Sequence, residues 1–159
     1  MGFWRNLKLF FLGPEKCRTI YELRAWAAGD PYKLKDYAKK FFLYKADETL
    51  KEDWLPAEEA FNRLQKDGDD CEAYAAVDHF CLDGYKRSHI VYVSNGTEAH
   101  AICVYENAGR WHYLDNHHHP DFDFRTIADC CRDVYSNVKI AYYCRWNGTR
   151  YVKGESIEL

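Results

Sequence analysis

The chain changes its hydrophobic period once, near its middle. In the first half, apolar positions recur every three to four residues, the spacing of a helix with one buried face. Residues 19–28 place Ile20, Leu23 and Ala27 on one side, and Gly29, Asp30 and Pro31 stop that element. Residues 32–44 repeat the pattern with Leu34, Tyr37, Ala38, Phe41 and Phe42, with lysines opposite. Pro56 opens a third helix over residues 57–65, because a first-turn N–H would be unpaired anyway. A polar break over 66–70 precedes a fourth helix, 71–82, with Ala75, Ala76 and Phe80 inward and Gly84 just past its end.

The second half predicts strands. Residues 89–93 are rich in β-branched side chains, and Asn95-Gly96 is a hairpin-turn signal because both residues tolerate positive φ. Residues 98–106 and 110–115 form two further strands around a turn at Asn107, Ala108 and Gly109. A polar loop over 116–120 leads to a helix over 122–134, and residues 138–146 and 149–153 close the chain as a hairpin across Asn147-Gly148. Helices come first and an antiparallel sheet second, so the class is α+β. At 159 residues the chain is one domain, 1–159. Residues 1–16 read as an N-terminal amphipathic extension that docks on the protein's own core. Lys8 interrupts the apolar run there and no small-residue cleavage site follows, so it is not read as a signal peptide.

Composition narrows the classes. With 22 basic against 25 acidic side chains the net charge is −3, and no basic stripe matches a phosphate backbone; nucleic acid is excluded as a partner. No stretch approaches the roughly 20 apolar residues that cross a bilayer, so no stable membrane insertion is expected. Seven cysteines, an odd number without a CxxC pair, suit a reducing compartment in which most thiols pack as small hydrophobes. The expected location is cytoplasmic. The oligomeric state is open.

Cys71 differs in context from the other six thiols. It stands where a Gly/Asp loop turns into a helix, near free first-turn N–H groups that favour thiolate and can hold an oxyanion. Asp69, Asp70 and Glu72 oppose that charge, so a nearby imidazolium is needed. His100 and Asp115 supply the pair. If Tyr105 and Arg110 are the last paired residues of their hairpin, His100 faces Asp115, with Ile102–Tyr113 and Val104–Trp111 on the same face. A slip of one residue puts Asn116 opposite His100 instead, and a Cys-His-Asn set would also work.

These residues carry a resemblance. The run WLPAEEAFNRLQKDGDDCEAYA over 54–75 resembles the nucleophile segment of bacterial transglutaminase-like cysteine proteinases. AHAICVY over 99–105 and WHYLDN over 111–116 resemble that family's histidine and aspartate strands. Ala73 stands where the family usually has Asp, and Asp69 intrudes between Gly68 and Asp70. The resemblance implies a papain-like, transglutaminase-like fold with N-terminal helices packed on an antiparallel β-sheet. It also implies a thiol-dependent hydrolase or acyltransferase acting on amide or peptide bonds of a protein or peptide substrate, through a Cys71-His100-Asp115 triad and an acyl-enzyme. Gln65, six residues before Cys71, matches the family's oxyanion glutamine, with the Trp54 indole as competitor. Some relatives bind calcium near the cysteine, where Asp70 and Glu72 stand here; the reading remains a solvated acidic loop and no cofactor.

Three consecutive histidines, His117, His118 and His119, look like a metal site, but adjacent side chains on a loop seldom converge on one ion, and no metal is assigned. His79 and His112 are read as packing partners. Asn95 and Asn147 match the glycosylation pattern but lie in tight turns. The rival from another class is a catalytically silent transglutaminase-like scaffold, viral or mobile-element in origin, that binds a protein partner. A metal-dependent hydrolase built on His117–His119 is the third reading.

Overall fold

The computed structural model describes residues 15–46 and 54–159. The amphipathic reading of the N-terminal segment falls almost wholly outside them. In chain order the elements are α1 (Ile20–Ala27), α2 (Pro31–Phe41), α3 (Ala57–Lys66), α4 (Cys71–Leu82), β1 (Ser88–Ser94), β2 (Ala99–Asn107), β3 (Arg110–Leu114), α5 (Ile127–Val134), β4 (Ile140–Trp146) and β5 (Tyr151–Ser156). The fold is α+β, with the four N-terminal helices against an antiparallel sheet of order β3-β2-β1-β4-β5.

Four of the five described helices begin where a side chain satisfies a free N–H; α3 follows Pro56 without a side-chain cap. Thr19 caps α1 and Asp30 caps α2, with Pro31 at its first position. Asp70 caps α4 by accepting from the Glu72 N–H at 3.1 Å. Two boundaries differ from the sequence expectation. α2 stops at Phe41, three residues short, because Phe42 turns extended and Leu43 and Lys45 bond instead to the Leu64 and Asp69 carbonyls. α5 begins at Ile127, five residues late, where Thr126 and Asp129 cap each other reciprocally. The residues before it hold the sheet edge: Trp111 and Phe124 exchange backbone hydrogen bonds of 2.9 and 2.8 Å. β5 runs three residues past the expected end.

Alternation along the strands splits the sheet into two apolar faces, and both are covered. Ile90, Ala101, Cys103, Tyr105 and Leu114 meet α1–α4. Val91, Val93, Ile102, Val104, Tyr113 and Ala141 meet α5 through Ile127, Cys130 and Cys131. For that reason β2 reads as an unbroken buried run from residue 101 to 105 rather than an alternating one. α4 is the central helix. Its small residues Ala73, Ala75 and Ala76 are all buried and let it lie close to β2, which fixes its first residue against the sheet. Each fully buried Leu or Ile of this core, such as Leu82 or Ile102, contributes about 1.5–3 kcal/mol.

Candidate active site

Cys71 is the first residue of α4, and its approach is set by the loop before it. Gly68 has φ +81°, and a Cβ there would lie 3.1 Å from the Lys45 Cβ. Glycine thus lets the loop lie flat against residues 43–45, to which it is stitched by Lys45 N–H to Asp69 O (2.9 Å) and Asp69 N–H to Leu43 O (3.1 Å). The thiol is partly exposed.

His100 is the second residue of β2, and Asp115 follows the last residue of β3. Their side chains meet, His100 Nε2 to Asp115 Oδ1 at 2.6 Å, with both groups largely shielded. The contact is not the directly opposed pair that the sequence suggests. The last pair of the hairpin is Asn107–Arg110, around a two-residue turn at Ala108 and Gly109, both with positive φ. Val104 therefore faces Tyr113 and Glu106 faces Trp111, two residues away from the expected register. One further step of the ladder would set Asp115 opposite Ile102, which makes His100 its diagonal neighbour on the same face. Of the two alternatives for this bond, Asp115 carries it. Asn116 turns away at φ +52°, inside a tight turn closed by hydrogen bonds between Asp115 and His118.

The electrostatics of His100 are the most distinctive in the molecule. Burial alone pushes its pKa down, but hydrogen bonding to Asp115 and to Cys71, with the charges of both, outweighs burial and lifts it to about 10. The imidazole is therefore an imidazolium at neutral pH, bonded to the Asp115 carboxylate and held in its charged form by the Cys71 sulfur as well. The buried thiols stand in a different setting. Burial raises the pKa of Cys81 and Cys103 well above the usual range, and that of Cys130 and Cys131 likewise. Cys17 is also buried, so five of the seven cysteines pack as apolar residues. Under the site, Asp78 of α4 is 3% exposed; burial and then the Asp115 charge raise its pKa well above the carboxylate range and keep it neutral.

Gln65 requires a correction. Its amide donates to the Cys17 carbonyl at 3.0 Å and to the Tyr37 hydroxyl at 2.8 Å, tying α3 to the segment before α1. Both N–H donors are consumed, and none is left for an oxyanion. Trp54 packs on the helical core with its ring 5.9 Å from that of Tyr151. The three adjacent histidines separate: His117 and His118 are exposed, whereas His119 is buried and bonded to the Tyr105 hydroxyl. The rings of Tyr105, His112 and His119 lie within 25° of parallel, so their in-plane lone pairs cannot meet on one ion. Among the described residues, no group of three metal-ligating side chains could hold a metal. His79 bonds Ser88 at 2.9 Å and His112 stacks on Tyr105, both as packing partners.

Two residues near the site escaped the sequence reading. The Tyr44 phenol has its pKa raised by burial and then by the charges of Cys71, Asp70 and Asp115. Tyr135, at the end of α5, has its pKa raised by burial and then by Glu98, Cys71 and Asp115. The run Phe41-Phe42-Leu43-Tyr44 is apolar all round and breaks helical period, which is the signal that could have released Tyr44 from α2.

Comparison with known proteins gives little beyond this. No family model matches the chain, and no curated protein does. Among solved structures, calcium-bound LapG from Legionella pneumophila is similar at 16% identity and a TM-score of 0.47, over 86% of this chain and 89% of that one. No helix among the described residues is long and apolar enough to cross a membrane.

Proposed function

We propose that the protein is a thiol-dependent hydrolase or acyltransferase of the transglutaminase-like type, acting on amide or peptide bonds of a protein or peptide substrate. The Cys71 thiolate adds to the carbonyl carbon, and the π pair moves to oxygen. Collapse restores the carbonyl and expels the amine, which takes the proton held by His100. Water or a second amine then gives a proton to His100 while attacking the thioester, and the released thiolate regains the imidazolium as its partner. Asp115 holds the ring in place and stabilises its charge, and the Cys71 N–H at the start of α4 donates to the oxyanion.

One observation carries this reading: a single imidazole is bonded to Asp115 at 2.6 Å and lifted to a pKa of about 10 by that carboxylate together with the Cys71 thiol. The test is chemical. Treated with p-nitrophenyl acetate or iodoacetamide at neutral pH, the protein should take up one label, at Cys71 by peptide mass mapping. Cys71→Ala should remove it while the circular dichroism spectrum stays native, with acyl transfer falling on the order of 10³-fold or more. Labelling of Cys144, the other partly exposed thiol, with Cys71 untouched would overturn the reading.

A further inference from the structure

With Gln65 committed elsewhere, the site holds one oxyanion donor from the backbone and needs another. We propose that the hydroxyl of Tyr44 is that second donor, a catalytic residue contributed by the segment after α2 rather than by α3. The proposal rests on the thiol mechanism above and adds to it.

Position is the first argument. Tyr44 forms a parallel bridge with Asp69, two residues before Cys71, and the flanking backbone bonds of 2.9 and 3.1 Å fix it there. Its ring contacts that of Tyr74, one turn along α4 from Cys71, at a centroid distance of 6.4 Å. The ring thus leans on the turn of helix that presents the sulfur. Access is the second argument: at 53% exposure, Tyr44 is open to a substrate, where a buried donor would not be. Chemistry is the third. Burial, and then the charges of Cys71, Asp70 and Asp115, favour the protonated phenol, so the O–H stays a donor at neutral pH. Tyr135, at the end of α5, is the competing phenol; burial and then Glu98 act on it before Cys71 and Asp115 do, and among the described residues no backbone pairing ties it to the loop before Cys71.

During thiolate addition the carbonyl π pair becomes the oxyanion, which accepts from the Tyr44 O–H and the Cys71 N–H. No proton moves onto or off Tyr44, and both hydrogen bonds weaken as the carbonyl re-forms.

Two probes separate this role from its alternatives. p-Nitrophenyl acetate acylates through an oxyanion, whereas iodoacetamide alkylates sulfur by displacement at a methylene carbon and forms none. In Tyr44→Phe the acylation burst should slow about 100-fold, while the iodoacetamide rate and thermal midpoint stay unchanged. Equal slowing of both reactions would make Tyr44 an activator of Cys71 and overturn the proposal. A burst of undiminished rate would overturn it too, as would selective loss in Tyr135→Phe instead. If the unsubstituted protein gives no burst at Cys71, the thiol mechanism fails and this proposal with it; a normal burst in Tyr44→Phe removes the proposal alone.

Discussion

Two imidazoles flank the turn over residues 115–118, and the protein holds them in opposite charge states. Burial pushes the pKa of both below the ordinary 6.5. At His100 the hydrogen bond to Asp115 and the influence of Cys71 reverse that push and leave it at about 10. At His119 the partner is the neutral Tyr105 hydroxyl; burial is reinforced by His112 and Lys35, and the pKa falls to about 4. His119 lies buried between Tyr105 and the Tyr32 ring at 4.6 Å, and His100 is largely shielded too. Depth does not explain a difference of this size. The charges that face each ring do: Asp115 and Cys71 hold His100 as an imidazolium, whereas at His119 burial, reinforced by the cationic neighbours His112 and Lys35, keeps a neutral ring.

The strongest way to break this contrast is to remove the carboxylate. Asp115→Ala should let His100 revert toward neutrality, followed by the ring-proton shift in NMR, and acyl transfer should fall on the order of 10³-fold. A His100 signal that still titrates near pH 10 would show that Asp115 is not the cause.

Stability should respond next, with opposite sign at the two rings. His100 has its folded pKa raised, so its contribution is whole below pH 6.5 and declines as pH rises toward 10. The amount is on the order of 5 kcal/mol. Thermal midpoints measured from pH 6.5 to 10 should therefore fall in the unsubstituted protein and fall less in Asp115→Ala. His119 has its folded pKa lowered, so its contribution is whole above pH 6.5 and is lost as pH drops toward 4. That amount is on the order of 3 kcal/mol. Replacing Tyr105 and His119 together by Phe keeps the ring packing and removes the hydrogen-bonded pair without leaving either group unpartnered. The midpoint should then be flatter between pH 6.5 and 4, and an unchanged acid slope would exclude His119 as its source.

The same pair shows what was legible in the sequence. His100 and Asp115 could be matched because side chains alternate with period two, and the observed register lies two residues from the expected one. A slip of two changes partners but not faces, so the contact survived as a diagonal; a slip of one would have lost it. The slip arose at the turn, where Ala108-Gly109 is a weaker signal than the Asn-Gly of the β1–β2 hairpin. Gln65 was misread because spacing along a helix gives reach but not competition: the Cys17 carbonyl and Tyr37 hydroxyl, distant in sequence, take its donors first. Tyr44 was missed for a similar reason, since only pairing with the loop at Asp69 ends α2 early. His119 was grouped with its neighbours by adjacency, and nothing local distinguishes the one that turns inward to Tyr105. Local pattern located elements and faces; tertiary partners decided what each side chain does.

The smallest expected effect tests the hinge between the two rings. Asn116 has φ +52°, a left-handed conformation that asparagine adopts more readily than most residues and that a Cβ without a polar group resists. It reverses the chain so that Asp115 points to His100 while His119, three residues after Asn116, enters the opposite pocket at Tyr105. Asn116→Gly should be nearly neutral, because glycine takes this conformation freely. Asn116→Ala should cost about 1 kcal/mol and lower the thermal midpoint by about 3 °C. Both pH slopes should keep their signs in either variant, because the hinge sets where the rings lie and their partners set their charge. If Asn116→Ala instead abolished the alkaline slope, the Asp115–His100 bond would depend on strain in the turn, and the partner-charge account of the two histidines would have to give way to a conformational one.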